Sequence, residues 1–562
     1  MYVDDSTYFR DGKRYRRVLL RHSYRENGIT KKKLLGNITD CSEEEIEAIK
    51  IALNHKSNLT LLKQLSDGQS TNGKFLGSVL VINTMMDRLG FTKILGKSKE
   101  ALYVKWLIMS RLLDQGSRLS AVRLARIHAG CELLGIDSIN EDALYDALDW
   151  LYGRQGKIER KIFQQLQTSH RAEKENTLFL YDVSSSYFEG ECNELARFGY
   201  NRDKKKGKKQ LVWGLLTDEE GEPLAVEAFE GNTADTSTVK VQIEKIKNRF
   251  GCKYVTMVGD KGMLKRLQIE ALEEEGWNYI TSITKAQIGT LIRNGTFQLE
   301  LFTKDLVEIE DIENGLRYVL HKNPLRAEEI SDNRKRKIES IEKKVQDGNQ
   351  YLKDHPKAKV ENKIRNLEKY INKVKLGGVV AIKIHTKNKR EFVCEVNKDN
   401  LKEKGRLDGC YAIKTDLPKS VAGKETLHQR YKALAEVERG FRTSKTILEV
   451  QPIHLRLKRR TIAHLMICMF ACKIQRYLEN QWRTIDMTVD ECLLKLNQII
   501  EIKLKIGNVE VIKTPGPDED CKRLLKLADV ILPTVFPKRE VHVVTYKKLV
   551  ERRKHKKISN LN

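Results

Sequence analysis

The stretch Thr177-Leu178-Phe179-Leu180-Tyr181-Asp182-Val183, with the four runs that follow it, decides the fold. QLVWGLLT (210–217) and PLAVEAFE (223–230) have the β-branched and aromatic content of strands, separated by the polar turn Asp218-Glu219-Glu220-Gly221-Glu222. A helical period near 236–249 leads into KYVTMVGD (253–260), and another near 263–275 leads into WNYITSIT (277–284). The order is βββαβαβ. Two meander strands followed by right-handed helical crossovers make a mixed sheet in which the first and fourth strands lie side by side and parallel.

This is the pattern of an RNase H-like core, an α/β fold with a mixed sheet. Asp182 closes the apolar run Leu178–Tyr181 and Asp260 closes Val255–Gly259, so both acids are expected at strand ends. On parallel neighbours they emerge at the same edge, roughly 5 Å apart given the strand spacing. Carboxylates that close repel unless one is protonated or a cation lies between them, and Mg²⁺ or Mn²⁺ is the usual cation for oxygen ligands. Either Asp alone could equally cap the turn after its strand.

Outward from the sheet, the chain divides by pattern. Residues 1–41 read as a basic β-hairpin arm, with RYRRVLLRHS and TKKKLLGNI flanking the turn Arg25-Glu26-Asn27-Gly28. Residues 42–172 read as a helical region, opened by the capping box Ser42 and Glu45. The core is expected in two parts, 173–290 and 416–500, interrupted by an insertion over 291–415. That insertion holds a charged helical stretch at 324–375, with 15 Lys/Arg and 9 Asp/Glu, then strand-like VVAIKIHT, EFVCEVN and CYAIKT. Residues 501–562 read as a basic extension, with nine Lys/Arg against two Asp/Glu from 531 onward.

A chain of 562 residues with 40% hydrophobic content has room for three or four folding units, which excludes whole-chain disorder. Lys and Arg outnumber Asp and Glu by 103 to 77, a net charge of +26 that favours a polyanionic partner. The ten cysteines are scattered without a C-x-x-C, which argues against a disulfide framework or a zinc site. The longest apolar stretch, Ile462–Ile474, is interrupted by His464 and Lys473, so no membrane span is expected. A reducing, cytoplasmic setting follows.

A third acid comes from a helix expected to run from Leu427 through Lys445. Tyr431, Glu438 and Lys445 recur every seven residues and so drift by only ~20° per step around it. Glu438 is expected against the apolar face, beside Leu434, Val437 and Phe441, whereas Glu436 points to the solvated side. An i,i+4 ion pair with Arg442 would account for Glu438 equally well.

Four segments now carry a resemblance: Tyr181-Asp182-Val183-Ser184-Ser185-Ser186-Tyr187-Phe188, Phe198-Gly199-Tyr200-Asn201-Arg202-Asp203, Gly231-Asn232-Thr233-Ala234-Asp235 and Val258-Gly259-Asp260-Lys261-Gly262-Met263. Together they resemble bacterial insertion-sequence transposases of the IS-four group of the DDE superfamily, in its IS-sixteen-thirty-four branch. The group's Y-x2-R-x3-E-x6-K signature reads here as Tyr431, Leu434, Glu438 and Lys445, with Leu at the Arg position. The resemblance implies a triad of Asp182, Asp260 and Glu438 that is both catalytic and metal-binding. It also implies two Mg²⁺ (or Mn²⁺) ions, one at the attacking and one at the leaving oxygen of an in-line phosphodiester displacement. The partners it implies are double-stranded DNA, both transposon ends and target, and a second copy of the chain in a synaptic complex associated with the nucleoid. The reaction it implies is cut-and-paste strand cleavage and strand transfer.

The resemblance also implies that 42–172 is a helical DNA-binding region for the transposon ends, and further DNA contacts are expected around the triad. Lys204, Lys205, Lys206, Lys208 and Lys209 lie between the first two core strands and could neutralise backbone phosphates, or form a merely solvated run. By resemblance Lys445 contacts phosphate near the scissile bond, and a snorkelling surface lysine is the alternative. Tyr431 would orient a phosphate through its hydroxyl, or simply fill core. Two other functions fit less well: a catalytically silent DNA-binding derivative, which intact acids at all three positions disfavour, and an RNase H-like nuclease that never joins strands.

Overall fold

The computed structural model describes residues 1–10, 13–26, 28–54, 56, 69–169, 177–303, 306–386, 388–506, 509–533 and 541–545. The chain forms two units, residues 1–147 with 474–562, and residues 148–473.

In the first unit the basic arm is a three-stranded antiparallel sheet, β1 (Tyr2–Arg10), β2 (Lys13–Glu26) and β3 (Ile29–Asn37). The expected hairpin is β2–β3, with Asn27 of its turn outside the described residues. The first strand was hidden in sequence by its polar composition, YVDDSTYFR. The capping box forms as expected: the Glu45 N–H donates to Ser42 Oγ at 3.2 Å and the Ser42 N–H to Glu45 Oε2 at 2.8 Å. The region is not purely helical, because it also holds β4 (Gln69–Phe75) and the short β5 (Ser138–Ile139).

The second unit is built on one eight-stranded mixed sheet. Its strands are β6 (Thr177–Tyr187), β7 (Gln210–Thr217), β8 (Pro223–Glu230), β9 (Val255–Val258), β10 (Asn278–Ser282), β11 (Val307–Asp311), β12 (Leu316–Lys322) and β15 (Cys410–Thr415). Across the sheet they run β11-β12-β15-β10-β9-β6-β7-β8. The first and fourth strands of the decisive stretch, β6 and β9, are parallel neighbours, with Leu180 opposite Val258. β7 is buried at every position, as a strand covered on both faces must be.

The expectation that 291–415 interrupts the sheet needs correction. Strands β11, β12 and β15 extend it, since β15 pairs antiparallel with both β10 and β12. CYAIKT and LRYVLHK can satisfy the open edge of β10, and an uncovered edge is a liability. Only residues 324–405 stand apart, as helices Pro324–Asp354 and Val360–Lys373 with the hairpin β13 (Val380–Ile384) and β14 (Phe392–Val396). This piece has its own core around Ile341, Leu367, Ile371 and Phe392.

The division at the chain end also differs from the sequence reading. Helix Lys458–Gln481 leaves the second unit at Lys473, and the following residues return to the first. There β16 (Ile500–Ile506) pairs with β4 and β17 (Val509–Lys513), β18 (His542–Val543) pairs with β5, and Glu519–Leu527 is a helix. The segment from 501 is therefore structured rather than a bare basic tail, although most of the cationic run from 531, residues 534–540 and 546–562, lies outside the described residues.

Strand alternation sets which face each acid uses. Tyr181 is fully buried, and its ring lies over Gly214, where an added Cβ would meet Tyr181 Oη at 2.2 Å. Asp182 therefore faces the opposite side. Gly214→Ala is expected to destabilise the protein by about 1–3 kcal/mol, the usual cost of overpacking a fixed core ring. Thermal or denaturant unfolding checks this, and an unchanged midpoint would mean the ring is free to move.

Candidate active site

Both aspartates sit two residues beyond the last matched pair of the parallel ladder, Leu180 and Val258, and Asp182 senses the charge of Asp260. Asp260 follows the end of β9. Asp182, by contrast, lies within β6, which continues to Tyr187 in pairing with β7, where Asp182 stands opposite Leu215. It ends the pairing with β9 rather than the strand itself. Asp260 Oδ1 accepts from the N–H groups of Gly262 and Met263, both at 2.9 Å, and so does cap its turn. Asp182 Oδ1 accepts from the Val183 N–H at 2.8 Å.

The expected single helix bearing the third acid is two, Lys424–Lys432 and Leu434–Arg442, followed by one wide turn over Thr443–Ile447. Leu434–Arg442 lies across β7. Phe441 meets Trp213 edge-on at 4.7 Å between ring centroids, and a Cβ on Gly440 would stand 3.2 Å from Leu215 Cδ2. Leu215 is the cross-strand partner of Asp182, so the helix passes over the same face of the sheet, two residues after Glu438. Glu438 itself is exposed rather than set against the apolar face, and Glu436 is the more covered of the two. Glu438 lies at the edge of the apolar stripe, between buried Phe441 and exposed Arg442, and the covered surface stops short of it. No ion pair joins Glu438 to Arg442 among the described residues.

The electrostatics show which groups sense one another. Burial pushes the Asp182 carboxyl up to about 7; the Val183 N–H and Arg202 oppose this, and the charges of Asp260 and Glu438 add to it. Burial also raises the Tyr431 hydroxyl, and all three acids raise it further. Tyr431 Oη donates to Ser282 Oγ at 2.8 Å, at the carboxyl end of β10. Its ring therefore stands where the fields of Asp182, Asp260 and Glu438 overlap. Among the described residues, no three His, Cys, Asp or Glu side chains converge closely enough to hold a metal ion as they lie.

The expected cations are brought to the same region, though not free. Lys445 Nζ pairs with Asp203 at 3.0 and 3.3 Å, so it is neither a snorkelling nor an unpaired lysine. Arg202 pairs with Asp235, and its N–H donates to Ser185 Oγ at 3.2 Å, three residues beyond Asp182. This joins three of the quoted segments at one place. Lys204, Lys205, Lys206, Lys208 and Lys209 are all exposed; Lys208 pairs with Glu189 at 3.2 Å, and Lys205 Nζ stands 5.6 Å from the Tyr187 ring centroid. Sequence reading missed Arg430. This arginine is half-buried one residue before Tyr431, burial lowers its pKa, and no carboxylate opposes that. The signal in sequence was its i,i+4 spacing from Leu434, the position where the signature expects Arg.

Residues 173–472 match the family model described as transposase DDE domain, and residues 5–60 match that of the IS1634 family transposase, N-terminal domain. The first match covers more than half of the chain, which belongs to the DDE transposases of insertion sequences, in their IS1634 family. Members of this family are enzymes that cleave and transfer strands of DNA with the help of divalent metal ions. No relative among curated proteins matches. A solved structure, the piggyBac transposase synaptic complex with hairpin DNA, is similar over 71% of this chain and 70% of that one, at 8% identity and a TM-score of 0.32, too loose a likeness to bear on fold or site. No described helix is long and apolar enough to cross a membrane.

The raised Asp182 pKa has a signed consequence for stability. The fold binds this proton more tightly than the unfolded chain, whose aspartates titrate near 3.8. The group's contribution is therefore complete below about pH 4 and is lost as pH rises through about 7, at up to ~1.4 kcal/mol per pH unit. Metal-free wild-type protein should lose stability from pH 5 to pH 8 more steeply than Asp182→Asn. Thermal unfolding of both at the two pH values checks this, and parallel slopes would contradict it.

Proposed function

We propose that Asp182, Asp260 and Glu438 are the catalytic carboxylates of this transposase, on an RNase H-like core formed by residues 177–322 and 410–473, with 324–405 as the insertion. The observation that supports the reading is the register of β6 and β9: Asp182 and Asp260 each follow its last pair, Leu180 and Val258, by two residues, and the helix bearing Glu438 crosses the face of the sheet that Asp182 uses. The sheet order β8-β7-β6-β9-β10 supports the core assignment.

The donor set fits a hard divalent cation: three carboxylates, one of which is held away from its charged form by burial and by the other two. We assign two Mg²⁺ or Mn²⁺ ions to it, with Glu438 completing the ligand set through rotation of its exposed side chain. Bound there, the ions supply Lewis acidity at the attacking and leaving oxygens of a phosphodiester.

The chain's own residues bind and orient the DNA. Lys445 exchanges Asp203 for a phosphate, and Arg430 supplies the guanidinium that Leu434 cannot. Tyr431 orients a phosphate oxygen through its hydroxyl, and Lys204, Lys205, Lys206, Lys208 and Lys209 follow the backbone. The transposon ends are its terminal inverted repeats, bound by a homodimer in a synaptic complex in the cytoplasm, at the nucleoid. Water attacks first and breaks a P–O3′ bond, leaving a 3′-hydroxyl and a 5′-phosphate; that hydroxyl then attacks a phosphorus of the opposite strand or of target DNA, forming a new P–O bond as the 3′-oxygen of the attacked strand leaves and takes up a proton, in a cut-and-paste pathway.

Asp182→Asn, Asp260→Asn and Glu438→Gln should each lower Mg²⁺-dependent cleavage of an end-bearing duplex about 10³-fold or more, the scale of losing one essential group, with end binding intact. Undiminished cleavage by one variant removes that residue from the triad. Covalent joining of the end to a plasmid target separates a transposase from a nuclease.

Lys445→Ala and Arg430→Ala should each weaken duplex binding and flatten the dependence of log K on log salt by about 0.9. An unchanged slope would show that the side chain meets no phosphate.

A further inference from the structure

The loop between β6 and β7 holds two aromatic rings in water. Phe198 is 65% exposed and Tyr200 is 84% exposed, whereas most rings among the described residues are covered. The backbone beneath them is clamped. Arg197 and Gln210 exchange N–H···O bonds at 3.0 and 2.9 Å, and Gln210 Nε2 donates to the carbonyls of Tyr200 and Gly231 at 2.9 and 2.8 Å. A Cβ on Gly199, between the two rings, would stand 2.1 Å from the Gly231 carbonyl oxygen, so the chain there is pressed against its neighbour while both rings face solvent.

The surroundings of the rings are cationic. The exposed lysines from Lys204 to Lys209 follow directly, and Lys209 Nζ stands 5.8 Å from the Phe198 ring centroid. The same loop is fastened to the strand of Asp182 through the Arg202 N–H on Ser185, and to Lys445 through Asp203. Exposed rings interleaved with cations are how proteins hold unpaired nucleotides, because every base has a flat face and every link a phosphate. A paired duplex keeps its base faces in its own stack and would meet only the lysines.

We propose that Phe198 and Tyr200 form a stacking platform for unpaired nucleobases of the strand being cut. This deepens the DNA-cleaving reading above and rests on it. The lysines take the phosphates on either side of the stacked bases, so the loop serves DNA that has opened at the scissile end.

The test uses the full-length protein without metal, with labelled oligothymidine and a fully paired duplex of equal length as probes in fluorescence anisotropy. Phe198→Ala combined with Tyr200→Ala should weaken oligothymidine binding about tenfold or more and leave duplex binding unchanged, while Phe198→Tyr combined with Tyr200→Phe keeps both. Unchanged oligothymidine binding by the alanine pair, or equal loss on both probes, overturns the platform alone. Wild-type protein that binds neither probe overturns it together with the DNA-cleaving reading.

Discussion

The pairing of β6 with β9 is the constraint on which the rest of this unit depends. Parallel register fixes Leu180 against Val258, and Asp182 and Asp260 each follow that pair by two residues, Asp182 within β6 and Asp260 in the turn after β9. Asp182, at that position, faces a charge problem that protein groups do not resolve. The Val183 N–H and Arg202 favour ionised Asp182, yet burial and the neighbouring acids outweigh them. A group left in that condition by its own fold is a common mark of a working site.

Around this centre the cations are paired with acids of neighbouring segments. Asp203 pairs with Lys445 and Asp235 with Arg202, which ties together the segments that follow β6 and β8. The glycines that let these segments meet, Gly199 and Gly231, leave no room for a side chain. Among the described residues, no carboxylate is paired with Arg430, whose pKa burial lowers.

Much of the core was legible because its signals are local. Each strand of the decisive stretch carries a continuous apolar run, and the alternation of strands and helices leaves few sheet orders open. The edge strands β11, β12 and β15 were harder, since their partner is a long way off in sequence and the charged helices between them read as the start of something separate. The three-stranded arm lost its first strand to two aspartates, and the return of the chain end to the first unit has no local signal at all. At the site, the two aspartates followed from strand order, but the orientation of Glu438 did not. Glu438 stands about 60° from buried Phe441 and about 40° from exposed Arg442 around the helix, and a helical wheel does not decide which side such an edge position takes.

The most direct measurement is a crystal structure of the protein soaked with Mn²⁺, located by its anomalous scattering. The account predicts manganese bound between the carboxylates of Asp182 and Asp260, with Glu438 turned inward as a ligand, and no such peak in Asp182→Asn. Manganese held elsewhere, or at the same position with Glu438 still pointing into solvent, would contradict the three-carboxylate site.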